Sequence, residues 1–172
     1  MGTALQRMMK RRGGLLLLIF LLIGVDQLTK AIVRRTLAHE APLHFGFLTL
    51  LYTTNRGAFL SIGSNLPPNV RAAIFSGIVA IVLGGAAIAL FRGSIGTLAE
   101  EIAVAAIIGG GVGNLIDRLM FNGRVTDFLY LASGPLHTGV FNVADMAITF
   151  GIVWLVVAWG FARRSTPGRN SM

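Results

Sequence analysis

Four long apolar runs limit what this chain can fold into. Each has about the 20 residues that an α-helix needs to cross the hydrocarbon core of a bilayer. They predict helices at about 14–35, 70–91, 98–119 and 140–162. Only 13% of the residues are charged, about half the share that is typical of soluble domains. The spans leave no room for a separate soluble domain, so we expect residues 1–172 to form one integral membrane domain.

Basic residues suggest how these helices are oriented. An even number of spans places both termini on one side, and basic clusters near both termini favour the cytoplasm. The clusters are Arg7, Lys10, Arg11 and Arg12, and Arg163, Arg164 and Arg169. With Arg92, eight basic residues would lie inside and the other seven outside, so the charge alone decides little. Membrane topology explains the net charge of +8 better than nucleic-acid binding does.

The first apolar run follows a basic segment, as the core of a cleaved signal peptide does. The run continues beyond the usual length of such a core, and no cleavage site of the A-x-A type follows it. We therefore expect the first helix to be retained.

The two segments predicted outside the membrane have the composition of strands. Residues 44–54 are rich in aromatic residues and threonine, and residues 124–130 resemble a second strand. Ser133-Gly134-Pro135 is typical of a turn. We predict an all-α membrane protein whose four transmembrane helices support a small β-sheet cradle and a loop on the outer membrane surface.

Two helix starts can be predicted from capping patterns. Thr97 and Glu100 have the spacing of a capping box, which predicts the start of the third helix. Pro67 and Pro68 end the preceding segment and leave Asn69 as the expected N-cap of the second helix.

Several kinds of catalytic site fit this sequence poorly. There is no cysteine, and the three histidines lack the spacing of a helix-borne zinc site; they are His39, His44 and His137. The glycine run at 109–113 does not follow a strand in a βαβ unit, as a dinucleotide site would require. A dyad of Ser61 and Lys30 is the least favoured scheme. We expect no metal and no cofactor.

All four aspartates lie within or beside apolar stretches, where a carboxylate is costly and tends to have a role. Asp26 precedes Lys30 by four residues, which predicts an ion pair within the first helix. Asp117 lies at the end of the third helix, where an acid opposes the helix dipole. We expect a salt bridge from Asp117 to Arg118 or Arg124.

Asp127 and Asp145 have no obvious cation beside them in the sequence. Helix capping would explain Asp145 without any chemistry, because Asn142 precedes it by three residues at the start of the fourth helix. Alternatively, the short loop between the last two helices brings both aspartates together at the membrane surface. Facing carboxylates share one proton, and such a pair performs the chemistry of aspartic proteases. The residues alone leave both interpretations open.

Five motifs in order resemble the lipoprotein signal peptidases (signal peptidase II) of bacteria, over nearly the whole chain. They are VDQLTK at 25–30, NRGAF at 55–59, GNLIDR at 113–118, VTDF at 125–128 and FNVAD at 141–145. Two departures are small: residues 57–61 read GAFLS where the family often has two alanines before Phe-Ser, and Thr126 replaces a commonly apolar residue. Both concern substrate contacts rather than the reaction.

The resemblance implies an enzyme of the bacterial inner membrane that removes the signal peptide of prolipoproteins, just before a diacylglyceryl-modified cysteine. It implies that Asp127 and Asp145 are catalytic and that the inhibitor globomycin binds between them. It further implies that six residues shape or support the site: Asp26, Asn55, Asn114, Asp117, Arg118 and Asn142. Residues 43–52 would form the cradle around the signal peptide, and a mobile portion near 55–65 would close over it.

Other functions compete with this one. A small transporter or lipid-binding membrane protein would also place polar residues within its helices, but we find no internal symmetry. A structural membrane subunit would use its aspartates only in caps and salt bridges. We expect prolipoproteins and membrane lipid as partners, no nucleic acid, and a monomer whose active site lies near the periplasmic face.

Overall fold

The computed structural model describes residues 2–55 and 67–164, and within this part of the chain it contains four long helices and four strands. The helices are α1 (Gly2–Thr36), α2 (Pro68–Arg92), α3 (Leu98–Met120) and α4 (Val143–Arg164). The strands are β1 (Leu43–Phe45), β2 (Leu48–Asn55), β3 (Val125–Ser133) and β4 (Leu136–His137). Of the predicted closing portion near 55–65, residues 56–65 lie outside the described residues.

All four helices are long and apolar enough to cross a membrane, as predicted. The apolar side chains of the first, second and fourth helices point largely outward: Ile81 is 77% exposed and Phe20 68%. An apolar exterior of this extent suits a hydrocarbon surrounding rather than water. The all-α membrane fold with a small sheet is thereby confirmed.

The helix boundaries differ from the prediction at α1 and α4. Helix α1 begins at Gly2 rather than near residue 14 and has 35 residues, about 52 Å of helix. That length exceeds a hydrocarbon core of about 30 Å, because helix-favouring basic residues extend α1 beyond the apolar run. Helix α4 begins at Val143, since the preceding Asn142 serves as its cap.

The two predicted helix starts had different outcomes. The capping box of α3 is confirmed, with the Glu100 N–H donating to Thr97 Oγ1 at 3.2 Å and the Thr97 N–H donating to the Glu100 carboxylate at 2.7 Å. The Asn69 cap is wrong: α2 begins at Pro68, with Pro67 at the cap position. Proline suits a first turn because its missing N–H would have no partner within the helix there.

Helix α3 lies at the centre of the bundle and packs against the other three helices. Its glycines permit this close packing. A methyl group at Gly113 would lie 2.5 Å from Asp26 Oδ2 of α1, one at Gly111 2.5 Å from Leu83 of α2, and one at Gly110 would overlap the Ala144 carbonyl of α4. The run at 109–113 is thus a packing device.

The four strands form one antiparallel sheet in the order β1-β2-β3-β4. It lies at the end of the bundle where α1 and α3 end and α4 begins, which we call the sheet end. Residues Thr53 to Asn55 of β2 pair with Val125 to Asp127 of β3. A further bridge joins Leu129 of β3 to Phe141, just before α4. The predicted small sheet is therefore present, and it holds the start of α4 beside β3.

Candidate active site

The structure brings Asp127 and Asp145 together at the sheet end, from two different elements. Asp127 lies on β3, and Asp145 lies in the first turn of α4. The Phe141 N–H donates to the Leu129 carbonyl at 2.8 Å, and the Leu129 N–H donates back to Phe141 at 2.8 Å. These backbone bonds fix the distance between β3 and the start of α4, so the position of each aspartate depends on the other element.

Asn142 connects the two aspartates. Its Oδ1 accepts from the Asp145 N–H at 2.9 Å, and its own N–H donates to Asp145 Oδ2 at 3.2 Å, which completes a capping box. Its Nδ2 lies 2.7 Å from Asp127 Oδ1. The capping interpretation of Asp145 is therefore confirmed as geometry, but the same cap residue also holds the second carboxylate.

Asn114 of α3 forms a second link to the dyad. Its Nδ2 donates to Asp145 Oδ1 at 2.8 Å. Its Oδ1 accepts from Lys30 Nζ at 2.8 Å and from Asn142 Nδ2 at 3.2 Å. The amides of two asparagines thus donate to the carboxylates, and the Lys30 ammonium lies behind Asn114.

Asp26 and Asp117 belong to a buried ionic cluster beneath the dyad. The predicted pair of Asp26 and Lys30 is confirmed, with 2.8 Å between Oδ2 and Nζ and no exposure of either side chain. Asp26 Oδ1 also accepts from the Ala144 N–H at 3.0 Å. The bond to Ala144 anchors the first turn of α4 on α1, so Asp26 supports the position of Asp145.

Asp117 does not form the expected salt bridge to Arg118 or Arg124, although the charge of Arg118 acts on it. Its carboxylate lies 3.5 Å from Arg34 and 3.7 Å from Lys30, both on α1, and it accepts from the Thr126 N–H at 2.8 Å. Arg124 instead points to Thr54 on β2, at 3.4 Å. The reason is helix packing: α1 and α3 bring together charges more than 80 positions apart in the sequence, which spacing along one helix could not reveal.

Arg118 and Asn55 approach the dyad from two different elements, α3 and β2. Arg118, on α3, interacts electrostatically with Asp145, Asp127 and Asp117 and lines a cavity of about 690 Å³ between α2 and α3. Asn55, the last residue of β2, makes a side-chain hydrogen bond to Asp127. All eight residues singled out from the sequence therefore lie in or beside one cluster.

Burial and charge set the protonation of Asp127, which is only 2% exposed. Burial and then the neighbouring charge of Asp145 raise the pKa of Asp127 to about 6, against the weaker opposing effects of the Asn142 and Asn55 bonds and the Lys30 charge. A carboxyl with this pKa can hold or release a proton near neutrality, as general acid–base chemistry requires.

A cavity of about 590 Å³ opens beside Asp145. Met146, Phe150 and Val153 of α4 line it below the carboxylate, and Thr138 to Phe141 line it above. The cavity therefore runs from the dyad along the apolar face of α4, where a lipid-like or extended peptide ligand fits better than a small polar one.

Sequence reasoning missed contacts that depend on packing. It considered Lys30 only as the partner of Asp26 and in the least favoured dyad with Ser61. It gave no role to Gln27, whose side chain donates to Asp26, Asp117 and the Gly113 carbonyl at 3.0–3.3 Å. Both residues lie in the motif at 25–30, which was the available signal. Among the described residues, no group of three or more His, Cys, Asp or Glu side chains could hold a metal ion.

Fold and site together define a multi-pass membrane protein with a carboxylate pair at one end of its helical bundle, of which Asp127 is buried and Asp145 half-buried. Comparison with known proteins is more specific. Residues 18–161 match the family described as signal peptidase (SPase) II, and the chain belongs to this family. Membership makes it a peptidase of the bacterial membrane.

Several curated relatives are named lipoprotein signal peptidase. That of Syntrophotalea carbinolica is 39% identical over 146 residues, which cover 84% of this chain and 89% of the relative. That of Chlorobium phaeovibrioides is 36% identical over 174 residues, covering 90% and 96%. A solved bacterial membrane enzyme has the same fold, with a TM-score of 0.76 and 24% identity over 93% of this chain and 94% of that one.

Proposed function

We propose that this protein is an aspartic endopeptidase that removes signal peptides from diacylglyceryl-modified prolipoproteins, cleaving just before the lipidated cysteine. The relatives named lipoprotein signal peptidase support the substrate class. The observation that carries the mechanism is the set of contacts that Asn142 makes. Its side-chain amide donates to Asp127 at 2.7 Å, while its side-chain oxygen and its backbone N–H cap the helix start at Asp145. A residue that only capped α4 would have no need of the second carboxylate.

The reaction needs one ionised and one protonated carboxyl group. The ionised group takes a proton from a water molecule, whose oxygen adds to the scissile carbonyl carbon while the protonated group gives its proton to the carbonyl oxygen. The tetrahedral intermediate then collapses and the C–N bond breaks. The leaving nitrogen takes the proton that the base removed from water, and the other carboxyl group regains its proton from a hydroxyl of the intermediate. The products are a signal peptide with a free carboxylate and a lipoprotein whose cysteine has a free amine.

The position of the site suits a lipid-modified substrate. The dyad lies at the ends of membrane-spanning helices, and the cavity beside Asp145 runs down an apolar helix face. A diacylglyceryl group would remain in the lipid while the bond to be cleaved reaches the carboxylates. We further propose that both termini are cytoplasmic, that the sheet end faces the periplasm, and that the protein acts as a monomer.

Cleavage of a purified diacylglyceryl-modified prolipoprotein tests this function. We expect wild-type protein to release the signal peptide, and Asp127→Asn and Asp145→Asn to reduce the rate by at least about 1,000-fold while remaining folded in the membrane. In Asp145→Asn, the new side-chain amide can keep one of the two hydrogen bonds that the carboxylate accepts, so the helix start survives while the base is lost. Normal processing by either variant would refute the dyad, and loss of wild-type activity on chelation, restored by a metal, would point to a metal enzyme.

A structural subunit and a transporter predict other results. Neither would cleave the substrate, so neither would give Asp→Asn variants that stay folded but lose a cleavage activity.

A further inference from the structure

Lys30 makes more contacts than charge neutralisation requires. Its side chain is fully buried, and Nζ lies 2.8 Å from Asp26 and 3.7 Å from Asp117. Two carboxylates would suffice to compensate a buried ammonium. The ammonium nevertheless also donates to Asn114 Oδ1 at 2.8 Å, on a neighbouring helix. That third contact links the ionic cluster to the dyad.

The contact with Lys30 determines which way the Asn114 amide faces. An ammonium has only donors, so the atom that meets Nζ is the amide oxygen. The NH₂ group of Asn114 must then face Asp145 Oδ1, 2.8 Å away. Asn142 is fixed in the same manner, because its oxygen meets the Asp145 N–H and its NH₂ group therefore faces Asp127.

The two carboxylates consequently receive unequal support. Both oxygens of Asp145 accept N–H bonds, one from Asn114 and one from the Asn142 backbone, and the group lies in the first turn of α4. Amide donors and the positive end of a helix both stabilise the negative charge of a carboxylate. Asp127 also accepts from two amides, those of Asn142 and Asn55, but it is more deeply buried than Asp145 and lies one hydrogen bond farther from Lys30.

We propose that Lys30 is a positioning residue of the dyad: by orienting Asn114, it keeps Asp145 ionised as the base that activates water, so that Asp127 carries the proton given to the scissile carbonyl. This inference rests on the proposed function, since it assigns roles within that dyad. It adds a residue of α1 to the site and gives the two aspartates different tasks.

Other charged groups face Asp145 from each neighbouring element. Asp127 lies on β3, Arg118 and Asp117 lie on α3, and Asp26 and Lys30 lie on α1. Arg118 also favours an ionised Asp145, and it stays in place in every variant below. A change in the pH dependence then reports on Lys30 and Asn114 rather than on Arg118.

The test compares pH profiles of cleavage of a diacylglyceryl-modified prolipoprotein in nanodiscs. Lys30→Met is made together with Asp26→Asn, which removes the carboxylate that would otherwise be left unpaired, and Asp26→Asn alone is the matched control. Asn114→Ala removes the amide and leaves every charge in place. For each protein, kcat and KM are measured from about pH 4 to about pH 9, and the folded fraction is measured alongside.

We expect the acid limb of kcat, where the base becomes protonated, to move to higher pH by about one unit or more in Asn114→Ala. The same shift is expected in the Lys30→Met double variant relative to Asp26→Asn, with KM changed less than about threefold. A purely structural role would lower the folded fraction and leave the limb in place.

An unmoved limb in Asn114→Ala overturns the proposal by itself, even where the double variant does not assemble. A limb that moves in Asn114→Ala but not in the folded double variant also overturns it, because Lys30 would then have no part. If wild-type protein cleaves no prolipoprotein, the proposed function fails instead, so the two failures can be distinguished.

Discussion

Asn142 donates its side-chain amide to Asp127 across 2.7 Å while its carbonyl oxygen caps the helix that carries Asp145. One fully buried residue therefore ties the start of α4 to β3. Capping and dyad geometry, which compete as explanations of the sequence, occur together in the structure.

The two tasks of Asn142 can be separated by substitution. Asn142→Ser keeps an N-cap oxygen but is too short to bond Asp127, whereas Asn142→Ala loses both contacts. We expect the serine variant to be more stable than the alanine variant by about 1 kcal/mol. Both should lose at least about 100-fold in cleavage rate, measured with thermal unfolding in the same detergent.

Thr97→Ala is the matched control for that pair. It removes the capping box of α3 at the far end of the bundle, so it should cost about 1 kcal/mol and leave cleavage unchanged. If Asn142→Ser cleaves at the wild-type rate, the contact with Asp127 is dispensable.

Asp127 should make stability depend on pH. Its pKa is raised from 3.8 to about 6, so between these values the folded state holds a proton that the unfolded chain has lost. The stability linked to this group is complete below about pH 4, declines as pH rises and is lost above about pH 6, for a total of about 3 kcal/mol. Asp127→Asn should therefore be more stable than wild type at about pH 7.5 and nearly equal to it at about pH 4. Thermal unfolding of both proteins at the two pH values checks this, and a stability difference that does not change with pH would contradict it.

Much of the fold follows from local sequence, and the site follows from it only in part. Apolar runs predict the spans, and the pairs Asp26–Lys30 and Asn142–Asp145 lie three or four positions apart, so one helix turn brings each together. Contacts such as Lys30 with Asn114 join residues 84 positions apart. They exist only because glycines let α3 pack closely on its neighbours, and periodicity carries no information about that packing.

Removal of the Asp117 carboxylate should be costly for folding. Its side chain is fully buried between Lys30 and Arg34 and accepts the Thr126 N–H. Asp117→Asn leaves two cations with one carboxylate fewer, and we expect a loss of about 3–5 kcal/mol. The loss of folded protein should account for at least as much of the lost activity as any fall in the turnover of the molecules that still fold. Full stability without activity would place Asp117 in the chemistry instead.

Glu101→Gln provides the comparison for Asp117. It breaks the bridge to Arg11 at 2.6 Å, but the Arg11 side chain is 42% exposed, so water screens the charge and the loss should be about 1 kcal/mol. Equal losses of stability in Asp117→Asn and Glu101→Gln would mean that burial does not determine how much the ionic cluster contributes to stability.

Close packing of α3 on α4 can be tested at a single methyl group. Gly110→Ala would place its Cβ against the carbonyl of Ala144, the residue just before Asp145. Because this contact is with backbone, α4 must move; we expect a loss of about 1–3 kcal/mol and reduced cleavage as Asp145 leaves Asn114. Gly84→Ala is the control, since nothing lies within 4 Å of a Cβ there, and it should be neutral or stabilising by up to about 1 kcal/mol. Unfolding midpoints and cleavage rates of the two variants, measured side by side, decide the matter: equal behaviour would show that α4 is not held by this contact.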